Sequence, residues 1–150
     1  MVKILFVCHG NICRSTMAEY VMKHLVKEAG VEGEFYIDSA ATSTEELGNP
    51  VHHGTRRKLV QVGIPCGDHR TRQVTWKDYE SFDYIIGMDN ANIRNLKRML
   101  NGDPDGKISR MLDYTHRPGE VADPWYTGDF EATYRDVLEG CQGLLKQLRK

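Results

Sequence analysis

The sequence predicts one α/β domain spanning residues 1–150, built on a four-stranded parallel sheet with helices on both faces. Three observations predict it. Four short apolar runs recur along the chain. Between them lie longer stretches whose apolar residues fall at helical spacing. Strands that alternate with helices in this way imply a parallel sheet covered on both sides. A length of 150 residues also suits one ordinary domain, large enough to bury a core without metals or disulfides.

The first run, "KILFVC", has no polar alternation, as a strand buried on both faces would show. From Ser15 to Ala29, residues Met17, Ala18, Val21, Met22, Leu25, Val26 and Ala29 keep helical spacing, and Gly30 is a stop. "EFYIDSA" reads as the second strand. "PVHHGTRRKLVQVG" reads as a helix opened by Pro50 and closed by Gly63. "FDYIIGM" is the third strand, "NANIRNLKRML" a helix ended by "NGDPDG", and "KISRML" a short fourth strand. "GEVADPWYTGDF" is a loop. Phe130 to Leu148 carries one apolar stripe of a long last helix.

Composition narrows the function classes. Apolar residues make up 40 %, charged residues 27 %, and the formal net charge is -1. Nothing in that balance suggests a nucleic-acid binder or a polybasic membrane surface. No stretch approaches a membrane span, and "MVKILFVC" is too short an apolar run for a signal peptide. The expectation is a cytoplasmic protein that uses neither nucleic acid nor membrane, with its four cysteines mostly reduced.

"VCHGNICRST", at 7–16, lies at the carboxyl end of the first strand, where ligands bind in parallel sheets. A strand, a turn and a helix present free N–H groups and a helix dipole to an anion. Gly10 and Asn11 are residue types that readily take positive φ, so the turn can curl its amides inward. Arg14 adds a planar fork suited to two oxygens of one phosphate. Cys8 sits where the bound phosphorus would be. The inward amides, the helix and Arg14 all favour its thiolate, and Ser15 can add a hydroxyl hydrogen bond. The combination points to attack on phosphorus through a cysteinyl-phosphate. That scheme needs no metal and no cofactor. No Walker loop occurs. The spacing of Cys8 and Cys13 does not suit zinc, and His52–His53 has no obvious partner ligands.

With these residues in place, the chain resembles the low-molecular-weight protein tyrosine phosphatases. "CHGNICRS" supplies C-x5-R-[ST] near the N-terminus, and "DSAATS", "DHRTRQ" and "DPWYTGDF" follow in the family's order and spacing. The resemblance covers essentially the whole chain. It implies the phosphotyrosine protein phosphatase I-like, Rossmann-like fold and a phosphotyrosine-containing protein as substrate. It makes Cys8 the nucleophile, Arg14 the phosphate clamp and Asp123 the general acid and base. His9, Gly10, Asn11, Ile12, Cys13 and Ser15 would form the phosphate loop, supported by Ser39 and His69. Glu46, Trp125 and Tyr126 would line the substrate entrance. Some relatives also close a disulfide between the positions of Cys8 and Cys13; the other reading of Cys13 is a packing thiol.

The residues alone leave choices open. They do not pick Asp123 over Asp89, Asp113 or Asp129, and Trp125 and Tyr126 fit a cap on the core as well as an entrance. Cys66 and Cys141 read as structural. The chain departs from the family's pattern at His9, usually apolar, at Thr16, usually proline, and at Glu45–Glu46, where an aromatic is common. The rival readings on this fold are a protein arginine phosphatase, disfavoured by Ile12 where a small threonine is usual, and an arsenate reductase, disfavoured because 80–100 lacks cysteine. A binding module without catalysis would have no need of both Cys8 and Asp123.

Overall fold

The computed structural model describes residues 1–149. Strands β1 (Val2–Cys8), β2 (Phe35–Ala41), β3 (Tyr84–Gly87) and β4 (Ile108–Arg110) pair in the order β2-β1-β3-β4, all parallel. Helices α1 (Arg14–Glu28), α2 (His53–Gln61), α3 (Trp76–Ser81), α4 (Asn90–Met99), α5 (Pro124–Thr127) and α6 (Phe130–Leu148) connect and cover them.

The unalternated first run has its expected cause. Ile4 and Phe6 face a core shared with α1 and α6, while Leu5 and Val7 face a second core with Tyr79, Ile85 and Leu96. β1 is therefore buried on both faces and flanked by β2 and β3. The chain leaves it in one direction to reach β2 and returns on its other side as β3. A crevice opens at that switch point, at the carboxyl end of β1.

Local chemistry corrects several predicted boundaries. The helix expected over 50–63 starts at His53, because His52 caps it: its Nδ1 accepts from the Gly54 N–H at 3.0 Å. Pro50 instead lies in an isolated bridge with Arg70. The fourth strand ends at Arg110, and Met111–Tyr114 turns as a 3-10 helix held by Asp113. α3 is absent from the expected elements, since its six residues, "WKDYES", are too short and polar for periodicity. Its signal is the Thr75–Asp78 capping box.

Gly140 and Gly143 let α6 approach the 3-10 turn closely. A Cβ at Gly143 would run into the Tyr114 carbonyl, which is backbone and cannot rotate away. Gly143→Ala should gain about 1 kcal/mol of helix propensity yet lose about 3 kcal/mol to overpacking against backbone, about 2 kcal/mol net. Thermal unfolding should show a midpoint lowered by several degrees, and a raised midpoint would refute the close approach.

Candidate active site

β1 delivers Cys8 to the floor of a cleft of about 210 Å³. The next residues curl back before α1 begins. Of the two residues expected at positive φ, only Asn11 is there, at 57°. Its side chain explains why asparagine fits this bend. Nδ2 donates to Ser15 Oγ at 2.7 Å, and Oδ1 accepts from His69 Nε2 at 2.7 Å. With that oxygen already accepting from Asn11, the Ser15 hydroxyl proton is free for Cys8 Sγ, 3.0 Å away. The Asn11 N–H also points at the sulfur, at 3.3 Å.

The loop's carbonyls explain its inward amides. Those of Gly10 and Asn11 accept from the Thr71 hydroxyl at 3.3 and 3.0 Å. The Ile12 carbonyl accepts from the His52 N–H and the Thr16 hydroxyl, both at 2.9 Å. The Cys13 carbonyl accepts from the Met17 N–H and the hydroxyls of Thr16 and Thr55. A planar peptide directs its N–H opposite its C=O. Tying these four carbonyls outward therefore turns the amides of residues 11–14 toward the cleft. Nothing in the sequence marks Thr16, Thr55 and Thr71 for this part. Thr16, noted only as a departure from proline, binds two loop carbonyls.

Arg14 opens α1 and is almost wholly buried. Its Nη1 donates to Asp89 Oδ2 at 2.9 Å and to the Val121 carbonyl at 2.8 Å, and its Nη2 reaches Asp123 Oδ2 at 3.4 Å. Burial opposes the guanidinium charge. Negative charge on Cys8, Asp123 and Asp89 outweighs it and holds Arg14 protonated above the ordinary arginine range. Cys13 lines the same cleft, but burial first, then the charges of Cys8 and Asp123, push its thiol up to about 12. Burial also raises Cys66 and Cys141, in keeping with packing roles.

The structure separates the four candidate acids. Asp113 pairs with Arg110, Asp129 caps α6 through the Ala132 N–H, and Asp89 caps α4 while holding Arg14. Asp123 is the one of the four that lines the cleft. Its Oδ1 accepts from the Trp125 N–H at 3.0 Å at the start of the single turn α5, a helix within the stretch expected to be a loop.

Glu45, Glu46, Trp125 and Tyr126 line the cleft together with Asp123. Trp125 is 59 % exposed and Tyr126 84 % exposed, so neither caps the core. Trp125 meets His52 edge-on, and His52 stacks on Phe130. His9 belongs to the phosphate loop in sequence only. Its side chain stands on the rim, with Nε2 2.9 Å from Glu45 Oε2, and its carbonyl accepts from Ser43.

Ser39 and His69 lie behind the loop. Ser39 donates to Glu19 Oε1 at 2.6 Å and sits 3.3 Å from His69 Nε2. His69 Nδ1 faces Glu19 and Asp38 at 3.3 and 3.4 Å. A chain of contacts thus runs from the buried Glu19 and the partly buried Asp38 through His69, Asn11 and Ser15 to Cys8. Glu19, Asp38 and Asp89 went unassigned in the sequence, although a glutamate amid the apolar positions of α1 was a usable signal. The donor atoms of Glu19, Asp38 and His69 lie within 4.8 Å of one another, close enough to hold an ion. Lys23 and Arg72 already balance the two carboxylates, so the cluster fits support of Asn11 better than metal binding.

This arrangement can bind a tetrahedral oxyanion over a nucleophilic sulfur, and comparison with known proteins places it. Residues 3–150 match the family model for low molecular weight phosphotyrosine protein phosphatases. The chain is 41 % identical to the low molecular weight protein-tyrosine-phosphatase YfkJ of Bacillus subtilis, covering 100 % of this chain and 97 % of that one. The YfkJ crystal structure superposes with a TM-score of 0.96 over 99 % of this chain and 95 % of that one. A low molecular weight protein tyrosine phosphatase from Streptococcus pyogenes is 47 % identical, with a TM-score of 0.89 over 99 % of this chain and 93 % of that one. A drosophila arginine phosphatase is 33 % identical, with a TM-score of 0.91 over 99 % of both chains. From the curl around Cys8 to the last helix, the chain belongs to the low molecular weight phosphotyrosine protein phosphatase family.

Proposed function

We propose that the cleft hydrolyses phosphotyrosine in protein substrates, and small aryl phosphates, in two steps. Cys8 as thiolate attacks phosphorus; an S–P bond forms and the P–O bond to the phenol breaks. Asp123 gives its proton to the leaving phenolate. It then takes a proton from water, which attacks the cysteinyl-phosphate and releases phosphate and Cys8. The amides of residues 11–14 and Arg14 hold the equatorial oxygens, where charge spreads in the transition state. Ser15, held by Asn11 and His69, steadies the sulfur as nucleophile and then as leaving group. The observation that carries this reading is the set of four loop carbonyls tied outward around Cys8, which turns the amides of residues 11–14 inward, that of Asn11 onto the sulfur itself. All four cysteines are free, which supports a reducing, cytoplasmic location.

The test is hydrolysis of phosphotyrosine and of an aryl phosphate by the reduced protein in EDTA, with phosphoarginine alongside. Metal-independent turnover favouring phosphotyrosine is expected. Preference for phosphoarginine would replace the substrate assignment, and turnover of none would overturn the chemistry. Asp123→Asn should lower kcat for phenyl phosphate about 10²–10³-fold. It should cost much less with a nitrophenyl ester, whose leaving group departs without a proton. Equal losses on both esters would remove Asp123 from the acid role.

A further inference from the structure

The walls of the cleft carry a charge asymmetry that the chemistry on its floor does not require. We propose that the cleft selects phosphotyrosines with a basic residue beside them in the substrate chain. The proposal rests on the phosphatase reading and names the class of protein that reading would serve.

Part of the lining is acidic. Glu45 has a side chain 70 % exposed, and Glu46 lies next to it. The exposed rings of Trp125 and Tyr126 line the same cleft. Carboxylates attract a cation by charge, and open aromatic faces attract one through the ring quadrupole. Both kinds of group repel a carboxylate. Among the described residues Arg14 is the one lysine or arginine lining the cleft, and it is buried on the floor and committed to Asp89, Val121 and Asp123. His9 is the remaining basic side chain there, and it answers Glu45 alone. The Glu46 carboxylate accepts from the neutral side-chain amide of Asn49 and, among the described residues, forms no ion pair. A phosphate seated on the amides of residues 11–14 puts the residues next to its tyrosine among these side chains. The floor, not the rim, supplies the attraction for the phosphate dianion. The rim is therefore free to discriminate among flanking charges.

The test uses two phosphopeptides identical except for lysine or glutamate on each side of the phosphotyrosine. kcat/KM is measured for both with the wild type, Glu45→Gln and the double variant Glu45→Gln/Glu46→Gln. Each enzyme is judged by its own lysine-to-glutamate ratio, so changes in basal rate cancel. The wild type should favour the lysine peptide about tenfold at low ionic strength, from two exposed charge contacts and a cation–π contact. That ratio should fall toward one at about 0.5 M salt. It should fall in the single variant and further in the double one. Equal rates with the wild type, or a ratio that the double variant leaves unchanged, would overturn the proposal. Failure to hydrolyse a plain aryl phosphate would instead strike the phosphatase reading beneath it.

Discussion

Cys8→Ser should remove turnover by a factor of at least about 10⁴ while leaving the fold and anion binding in place. The substitution exchanges one small buried atom for another, so the amides of residues 11–14, Arg14 and the Ser15–Asn11–His69 relay stay assembled. What disappears is the nucleophile. A serine hydroxyl stays protonated at neutral pH, and no general base lies beside this one to take its proton. Ser15 Oγ accepts from Asn11, and Asp123 is engaged with Arg14 and the Trp125 N–H. The decisive comparison pairs steady-state hydrolysis with calorimetric binding of inorganic phosphate. Lost turnover with phosphate still bound supports the assignment. Activity within tenfold of wild type would mean that another group attacks phosphorus.

Arg14→Lys should be nearly as damaging, about 10³-fold in kcat/KM, even though it keeps the charge. The guanidinium works as a bracket. One nitrogen is pinned by Asp89 and the Val121 carbonyl, which leaves the other at the cleft beside Asp123. An ammonium is a single point. It can satisfy Asp89 and Val121 or reach the phosphate, but not both. Stability should fall as well wherever the ammonium turns toward the phosphate site, because the buried Val121 carbonyl and the Asp89 carboxylate then lose their donor. Rates and the inhibition constant of inorganic phosphate, measured on the same preparation, give the readout. A lysine variant with near-normal rates would show that the floor amides carry the phosphate alone.

The strands and long helices were legible because their apolar residues kept a period: β1 as an unbroken run, α1 and α6 as stripes. What the sequence hid was held by polar contacts without a period. α3 rests on a capping box, and α5 is one turn started by Asp123 and Pro124. The site divides the same way. Cys8, Asn11, Arg14 and Ser15 could be read because they crowd into one loop. Asp123 needed the family's Asp-Pro pattern to stand out from Asp89, Asp113 and Asp129, since spatial convergence alone separates them. Thr16, Thr55 and Thr71 act by turning carbonyls away from the cleft. An ordinary threonine in a helix or loop gives no sign of doing that.

The contact between Arg14 and Asp123 joins positions 109 residues apart in the chain. During synthesis the nucleophile loop leaves the ribosome early, but its clamp has no Asp89 and its cleft no aromatic lining until much later. α6, which covers α1 and buries β1's inner face, comes last of the described elements. A nascent chain halted before residue 121 would carry Cys8 without the catalytic site around it. The enzyme therefore switches on in a single late event of folding, so an unfinished chain threatens no phosphoprotein, whereas its exposed Cys8 is open to oxidation until the fold closes over it.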